Sequence, residues 1–303
     1  MGDATVDQFY VLQPEELSFL KKETGIHDDD ELKAHVLAMQ KAALEVGTLL
    51  NWRFISLIVN ARFTRTHAYA AWDSSGKLKM PKNPAAYEHV LNLGKTVPGA
   101  ILVELGCCLG NDVRKIASDG FPSENIIASD LREGFWTVSH KLYPNPPKKF
   151  AGTFIPGDAL DPEFLGLMPI LKEVPEGATP NLPSLKSLNP LHGRVSAIHT
   201  GSFFHLFSEE KQLEIARKFA GLLSPRPGSM IFGCHGTQPT KGFMRGSRDN
   251  QIFCHSPESW KEMWEEQVFE PGTVEVQSFL KNSGKVLNST TDFWMLYWSV
   301  KRL

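Results

Sequence analysis

Cysteine is scarce in this chain, with four (Cys107, Cys108, Cys234 and Cys254) among 303 residues. That is too few for a disulfide scaffold and fits reduced thiols in the cytosol. No stretch approaches the roughly 18 unbroken apolar residues of a membrane span. Residues 1–13 are mixed and acidic, without the basic-then-apolar layout of a secretory leader. Long basic runs are also missing, and the formal net charge is −2, so the electrostatic stripe expected of a nucleic-acid binder is absent. The C-terminal Lys301-Arg302-Leu303 departs from a peroxisomal signal because Lys301 stands where a small residue belongs. What is there is ordinary for a soluble globule: 42% hydrophobic and 22% charged residues, enough apolar material to exclude wholesale disorder. These totals lead us to expect a cytoplasmic protein, monomer or homodimer, with neither membrane nor nucleic acid as partner.

Two regions differ in pattern. Residues 1–82 read as helical. Pro14-Glu15-Glu16-Leu17 opens a short helix, and Asp28-Asp29-Asp30 caps a longer one with apolar spacing at Leu32, Val36, Met39 and Ala43. Residues 51–72 are rich in aromatics and arginine (Trp52, Arg53, Phe54, Arg62, Tyr69, Trp72). Over 83–303, short apolar runs alternate with helical stretches. The predicted strands are 100–105, 126–129, 150–155, 195–199, 229–232, 274–280 and 293–300, and clear helices cover 85–93, 112–118 and 209–223. Such alternation implies an α/β protein with a doubly wound sheet. The Pro-rich stretch 161–194 (Pro162, Pro169, Pro175, Pro180, Pro183, Pro190) reads as an excursion before the fourth strand.

The most informative segment is Val103-Glu104-Leu105-Gly106-Cys107-Cys108-Leu109-Gly110-Asn111-Asp112. A strand closes near an acid, a bend carries Gly106 and Gly110 with small Cys108 between them, and a helix begins. Glycine is needed where the backbone turns sharply and a ligand approaches closely. The spacing is not the G-x-G-x-x-G that cradles a pyrophosphate, which disfavours a nicotinamide oxidoreductase. An acid beside the bend suits a cationic ligand such as the aminopropyl arm of S-adenosylmethionine, since a nearby carboxylate lowers the cost of holding that charge. Asp130 closes the next strand, placed for the two ribose hydroxyls, and Gly157-Asp158-Ala159 ends the third, where an Asp can accept from an adenine amino group. Singly, each acid reads equally as a cap; three in order at successive strand ends point to a nucleoside.

Residues 105–115, Leu-Gly-Cys-Cys-Leu-Gly-Asn-Asp-Val-Arg-Lys, resemble the signature of fungal secondary-metabolite methyltransferases, including those that methyl-esterify carboxylic acids in meroterpenoid pathways. The similarity continues in Pro122-Ser123-Glu124-Asn125-Ile126, Ser129-Asp130-Leu131-Arg132, Ser202-Phe203-Phe204-His205-Leu206-Phe207, and in His255 with Ser259-Trp260-Lys261-Glu262-Met263-Trp264. It spans about residues 85–303. The excursion at 161–194 is longer than the family's, and Cys254 stands where Arg is expected. The resemblance implies a Rossmann-like class I methyltransferase sheet of seven strands, the last one antiparallel, with an N-terminal helical lid over 1–82 and the cofactor domain over 83–303. It implies S-adenosylmethionine as cofactor. Gly106 and Gly110 would line its methionine end together with Glu104 and Cys108. Asp130 and Leu131 would meet the ribose, Asp158 and Ala159 the adenine, and Thr200, Gly201 and Ser202 would close around the sulfonium.

The chemistry expected is O-methylation of a small hydrophobic natural product, most simply of a carboxylate. A carboxylate, with a pKa near about 4, is ionised at neutral pH and needs no base, whereas a phenol near about 10 needs a partner for its proton. His205 and His235 are the catalytic candidates, and for His205 base, substrate-orienting and structural roles stay open. Arg245, as a fork, and His255 are candidates for a substrate carboxylate. Trp52 and Tyr10 belong to the lid, and Arg53 is a candidate for the cofactor carboxylate. Cys234-His235 and Cys254-His255 lack zinc-ligand spacing, so no metal is expected. A methyltransferase fold that binds cofactor yet catalyses a pericyclic step, or regulates, is the competing reading.

Overall fold

The computed structural model describes residues 10–48, 77–245, 251–285 and 292–303. Two helices open it, α1 (Pro14–Thr24) and α2 (Asp29–Thr48). The Asp28 carboxylate accepts the Glu31 amide at 2.9 Å, which caps α2. A third helix, α3 (Pro84–Thr96), leads into β1 (Leu102–Leu105). There follow α4 (Asn111–Ser118), β2 (Ile126–Asp130), α5 (Glu133–Leu142), β3 (Thr153–Pro156), β4 (Ala197–Gly201), α6 (Glu209–Leu222) and β5 (Met230–Thr237). A two-stranded ribbon, β6 (Gly242–Arg245) with β7 (Gln251–Cys254), precedes α7 (Pro257–Glu262). The long strands β8 (Val274–Lys285) and β9 (Asp292–Arg302) complete the order.

Seven strands form one sheet in the order β3-β2-β1-β4-β5-β9-β8. Strands β1 to β5 run parallel to one another, and β9 is inserted antiparallel between β5 and β8. This is the Rossmann-like methyltransferase sheet with its antiparallel last strand. The short strands β1, β4 and β5 are buried along their whole length, as expected of parallel strands covered on both faces. Strand positions match the sequence expectation closely, with shifted ends. The run from 195 begins pairing as a strand at Ala197, Val195 making only an isolated bridge to Leu223. Strands β5, β8 and β9 extend beyond the predicted apolar runs, because antiparallel pairing continues past them. The β6–β7 ribbon was not expected.

Alternation along each strand divides the core in two. One layer, beneath α6 and α7, gathers Val103, Ile198, Ile231, Leu296 and Trp298 with Phe204, Phe219, Trp260 and Trp264. The other, facing α3, gathers Leu102, Ala128, Ala197, Met230 and Phe232 with Tyr87 and Val90. Helices α1 and α2 share a third cluster, in which Phe19, Leu20, Leu32 and Val36 meet Leu78, Leu109, Phe135, Val138 and Leu142. The N-terminal helices therefore dock on α5 and on the bend after β1.

The excursion at 161–194 has only short 3-10 turns, at Leu182–Ser184 and Asn189–Leu191. It nonetheless buries Phe164, Leu165, Leu182, Leu188 and Leu191 in the α6 layer. Asn189 ties it internally: its carbonyl accepts the Gly166 amide at 2.7 Å and its amide donates to the Pro162 and Glu163 carbonyls, each at 3.0 Å. Among the described residues no helix is long and apolar enough to cross a membrane.

Candidate functional site

The bend after β1 is built by backbone geometry that few residues adopt. Gly106 and Gly110 have φ of 74° and 68°, and Cys108 stands between them at 49°. A non-glycine residue in this left-handed region costs on the order of 1–2 kcal/mol, so other contacts must hold it. They do: the Cys108 amide donates to Asp130 Oδ2 at 3.0 Å, while the Gly106 and Cys107 amides donate to the Ser129 carbonyl at 2.9 and 3.0 Å. Asp130 Oδ1 accepts the Arg132 amide at 3.1 Å. Asp130 thus closes β2 and braces the bend at once. Beside it Leu131 is 60% exposed, and the Gly157 amide donates to the Asp130 carbonyl at 3.1 Å, drawing the end of β3 alongside. Asp158 caps that turn by accepting the Leu160 amide at 2.8 Å, and the Ala159 carbonyl accepts from Lys218 Nζ at 3.0 Å.

On the α3 side of the sheet, parallel register sets Glu104 of β1 directly opposite His199 of β4. Their side chains meet at 2.8 Å, Nδ1 to Oε1, both almost wholly buried. Burial pushes the His199 imidazole down to about 4. The contact is therefore a neutral imidazole donating Nδ1–H to a carboxylate, not an ion pair. Asp112, from the first turn of α4, lies above them, and its Oδ1 accepts the Lys79 and Met80 amides at 2.8 and 2.9 Å. Burial, and then the nearby Glu104, raise the Asp112 carboxyl.

Ligand atoms of Glu104, Asp112 and His199 all lie within 4.8 Å of one another, a spacing a metal ion could use. The hydrogens are already committed differently. His199 Nδ1 carries a proton toward Glu104 and Asp112 Oδ1 receives two amides. The cluster reads as an internal polar network.

At the end of β4 the Thr200 hydroxyl donates to the Leu105 carbonyl at 3.1 Å. Ser202 takes a left-handed φ of 57°, with its amide on the Cys234 carbonyl at 2.7 Å. Phe203 then packs on the bend, 3.0 Å from where a Gly106 Cβ would stand. The structure thereby brings Glu104, Gly106, Cys108, Gly110, Asp130, Leu131, Thr200, Gly201 and Ser202 to adjoining strand ends, with Asp158 and Ala159 one strand further out.

The other histidines belong to the opposite face. His235 is buried on β5, with its ring centroid 4.6 Å from Trp260, and its Nδ1 accepts the Trp298 indole N–H at 3.0 Å. With Nδ1 an acceptor, the neutral ring carries its proton on Nε2. Burial, then the neighbouring His205 and His255, hold it well below its ordinary value. His235 thus serves the Trp298 indole as an acceptor through Nδ1, and its burial disfavours the protonated form a base would pass through. His255 is buried, faces Ser259 Oγ at 2.9 Å through Nδ1, and is pushed by burial down to about 4. His205 is buried in the 3-10 turn Phe204–Leu206 after β4. Trp52 and Arg53 lie outside the described residues, as does the side chain of Arg245. Tyr10 packs with α1 and α2.

Sequence reasoning passed over His199, Asp112 and Lys79. His199 was legible only as a strand residue, since its pairing with Glu104 depends on β4 lying beside β1.

Residues 8–50 match the model of the meroterpenoid methyltransferase N-terminal domain. The O-methyltransferase phiE of Fungal sp. (strain ATCC 74256) is 29% identical over 65% of this chain and 58% of its own length. The asnovolin E/chermesin D methyltransferase nvfJ of Aspergillus novofumigatus is 25% identical over 73% of this chain and 70% of its own. The methyltransferase trt5 of Aspergillus terreus is 25% identical over 59% of this chain and 57% of its own. The chain thus spans less than two thirds of the length of phiE and trt5. The magnesium protoporphyrin IX methyltransferase of Synechocystis superposes at a TM-score of 0.42 with 9% identity, over 100% of this chain and 98% of its own. The strand order defines the class, a Rossmann-like methyltransferase fold. Within that class the chain is similar to fungal methyltransferases of secondary metabolism.

Proposed function

We propose that this chain is an S-adenosylmethionine-dependent O-methyltransferase of secondary metabolism that methyl-esterifies a carboxylate on a small hydrophobic natural product. The observation that carries the reading is the buried Glu104 carboxylate, oriented by His199, beside a left-handed glycine bend that Asp130 braces. The donor set fits a zwitterionic nucleoside. Glu104 would hold the α-ammonium, Asp130 the ribose hydroxyls and Asp158 the adenine amino group, with exposed Leu131 against the base. A carboxylate accepts up to about four hydrogens, so bracing the bend and binding ribose are compatible roles for Asp130. Bound there, the cofactor supplies an electrophilic methyl on a sulfonium.

What supports a carboxyl acceptor is the state of three of the buried histidines, His205 being the one whose role as a base the pH–rate profile must test. His199 and His255 are pushed to about 4, and His235, which accepts the Trp298 indole N–H, is held well below its ordinary value by burial. None of the three is poised near pH 7 to take a phenol's proton. An acceptor that arrives ionised needs only orientation and a dry wall. Cys234, Met295, Tyr297 and Phe293 form such an apolar strip on β5 and β9, on the same face as His199. Negative acceptor and positive sulfonium neutralise each other as the methyl moves, so a water-poor surface favours the step. Residues 1–82 would supply the covering lid.

The test is transfer of labelled methyl from S-adenosylmethionine to a panel of hydrophobic acids and matching phenols. Methyl esters formed from acids support the reading. Transfer to phenols alone would overturn the acceptor class, and cofactor binding without any transfer would favour a non-methylating pericyclic or regulatory role.

A further inference from the structure

Lys79 is a cation without an obvious place in the chemistry above, yet it is 7% exposed. Its position is fixed from both sides. The Lys79 amide is held by Asp112, the next amide, Met80, shares that carboxylate oxygen, and the Leu78 amide is held by Glu16 of α1 at 3.0 Å. Its side chain lies across Gly201 at the end of β4, so closely that a Cβ there would fall on the Lys79 methylenes. Glycine at 201 is what lets this cation reach the strand end. Its charge acts on His199, Asp112, Cys234 and Tyr297. From its place on Gly201 it is within electrostatic reach of both His199 and the apolar strip.

An α-amino acid presents an ammonium and a carboxylate on the same carbon. A site that holds the ammonium on Glu104 must supply a donor for the carboxylate close by, because burying an unpaired carboxylate is strongly unfavourable. We propose that Lys79 is that donor, the clamp for the α-carboxylate of the cofactor's methionine end; this rests on the methyltransferase reading of the same site. Glu104 and Lys79 then form a complementary pair of charges for a zwitterion, and Asp112 fixes the spacing between them by anchoring the Lys79 backbone to α4. The clamp is carried by the segment that joins the N-terminal helices to α3, which couples docking of those helices to grip on the cofactor.

The experiment compares S-adenosylhomocysteine with 5′-methylthioadenosine, which has the nucleoside and sulfur but no amino acid, by calorimetry on the full chain. Lys79→Met keeps the buried stem and removes the charge. It should weaken S-adenosylhomocysteine roughly 10- to 100-fold, the loss of a charge-assisted contact. Methylthioadenosine should be unchanged within about twofold, which also shows that the variant is folded, and Lys79→Arg should recover part of the loss. Equal weakening of both ligands would make Lys79 a packing residue, and no change in either would remove it from the site; both outcomes overturn the clamp. So would a loss confined to the acid acceptor. If the wild-type chain binds neither nucleoside, the cofactor reading itself falls and the clamp with it, a pattern separable from failure of the variant to discriminate.

Discussion

Acidification should destabilise this protein before its ordinary carboxylates titrate. His199 and His255 are both buried and pushed from 6.5 to about 4. The folded values are depressed, so between about pH 6.5 and 4 the unfolded chain binds more protons than the native one. Stability therefore rises with pH across that window and is lost as pH falls through it. Each residue contributes about 1.4 kcal/mol per pH unit, or about 3 kcal/mol over its full shift. Lowering the pH from 6.5 to 5 should thus remove about 3 kcal/mol through these two alone, the unfolded imidazoles being half protonated at the upper end, against a typical total of about 5–15 kcal/mol. His235 acts in the same direction, while Asp112, whose carboxyl is raised, opposes it. The assay is urea denaturation at pH 7.5, 6.5, 5.5 and 5.0, comparing wild type with His255→Gln. The midpoint should fall steeply below pH 6.5, and the variant's pH slope should be shallower by about one proton. A midpoint indifferent to pH between 7 and 5, or a variant with the wild-type slope, would refute the burial of neutral imidazoles.

Two further outcomes follow. Asp130→Ala should weaken S-adenosylhomocysteine by about 1–3 kcal/mol in calorimetry, through loss of hydrogen bonds to a charged group, and should lower the thermal midpoint because the Cys108 amide loses its acceptor; unchanged affinity would put the ribose elsewhere. With an acid substrate the pH–rate profile should be flat above pH 6 and His205→Ala should cost little, whereas a rate that climbs toward pH 9 with loss of activity in that variant would show that a base is used.

Much of the fold was legible in the sequence because parallel strands buried on both faces read as short apolar runs. Leu102–Leu105 and Ile126–Asp130 emerged with nearly correct ends for that reason. The ends of β8 and β9 did not, because pairing between two antiparallel strands carries them past the apolar run into Lys281, Asn282 and Lys285. The β6–β7 ribbon, with Phe243 exposed at 65%, has too short an alternation to stand out. At the site, Gly106 and Gly110 were readable from spacing, since left-handed backbone favours glycine, and Asp130 from its place at a strand end. The partners that fix the acid were not. His199 reaches Glu104 across ninety-five residues, and Asp112 reaches Lys79 across thirty-three. Only the strand order brings the first pair together, and only the docking of the N-terminal helices brings the second.

A crystal structure of the full chain with S-adenosylhomocysteine tests the central claim most directly. The account predicts the homocysteine ammonium on Glu104, the ribose hydroxyls on Asp130 and the adenine toward Asp158. A nucleoside bound elsewhere, or seated over the bend with Glu104 still turned wholly to His199, would contradict it.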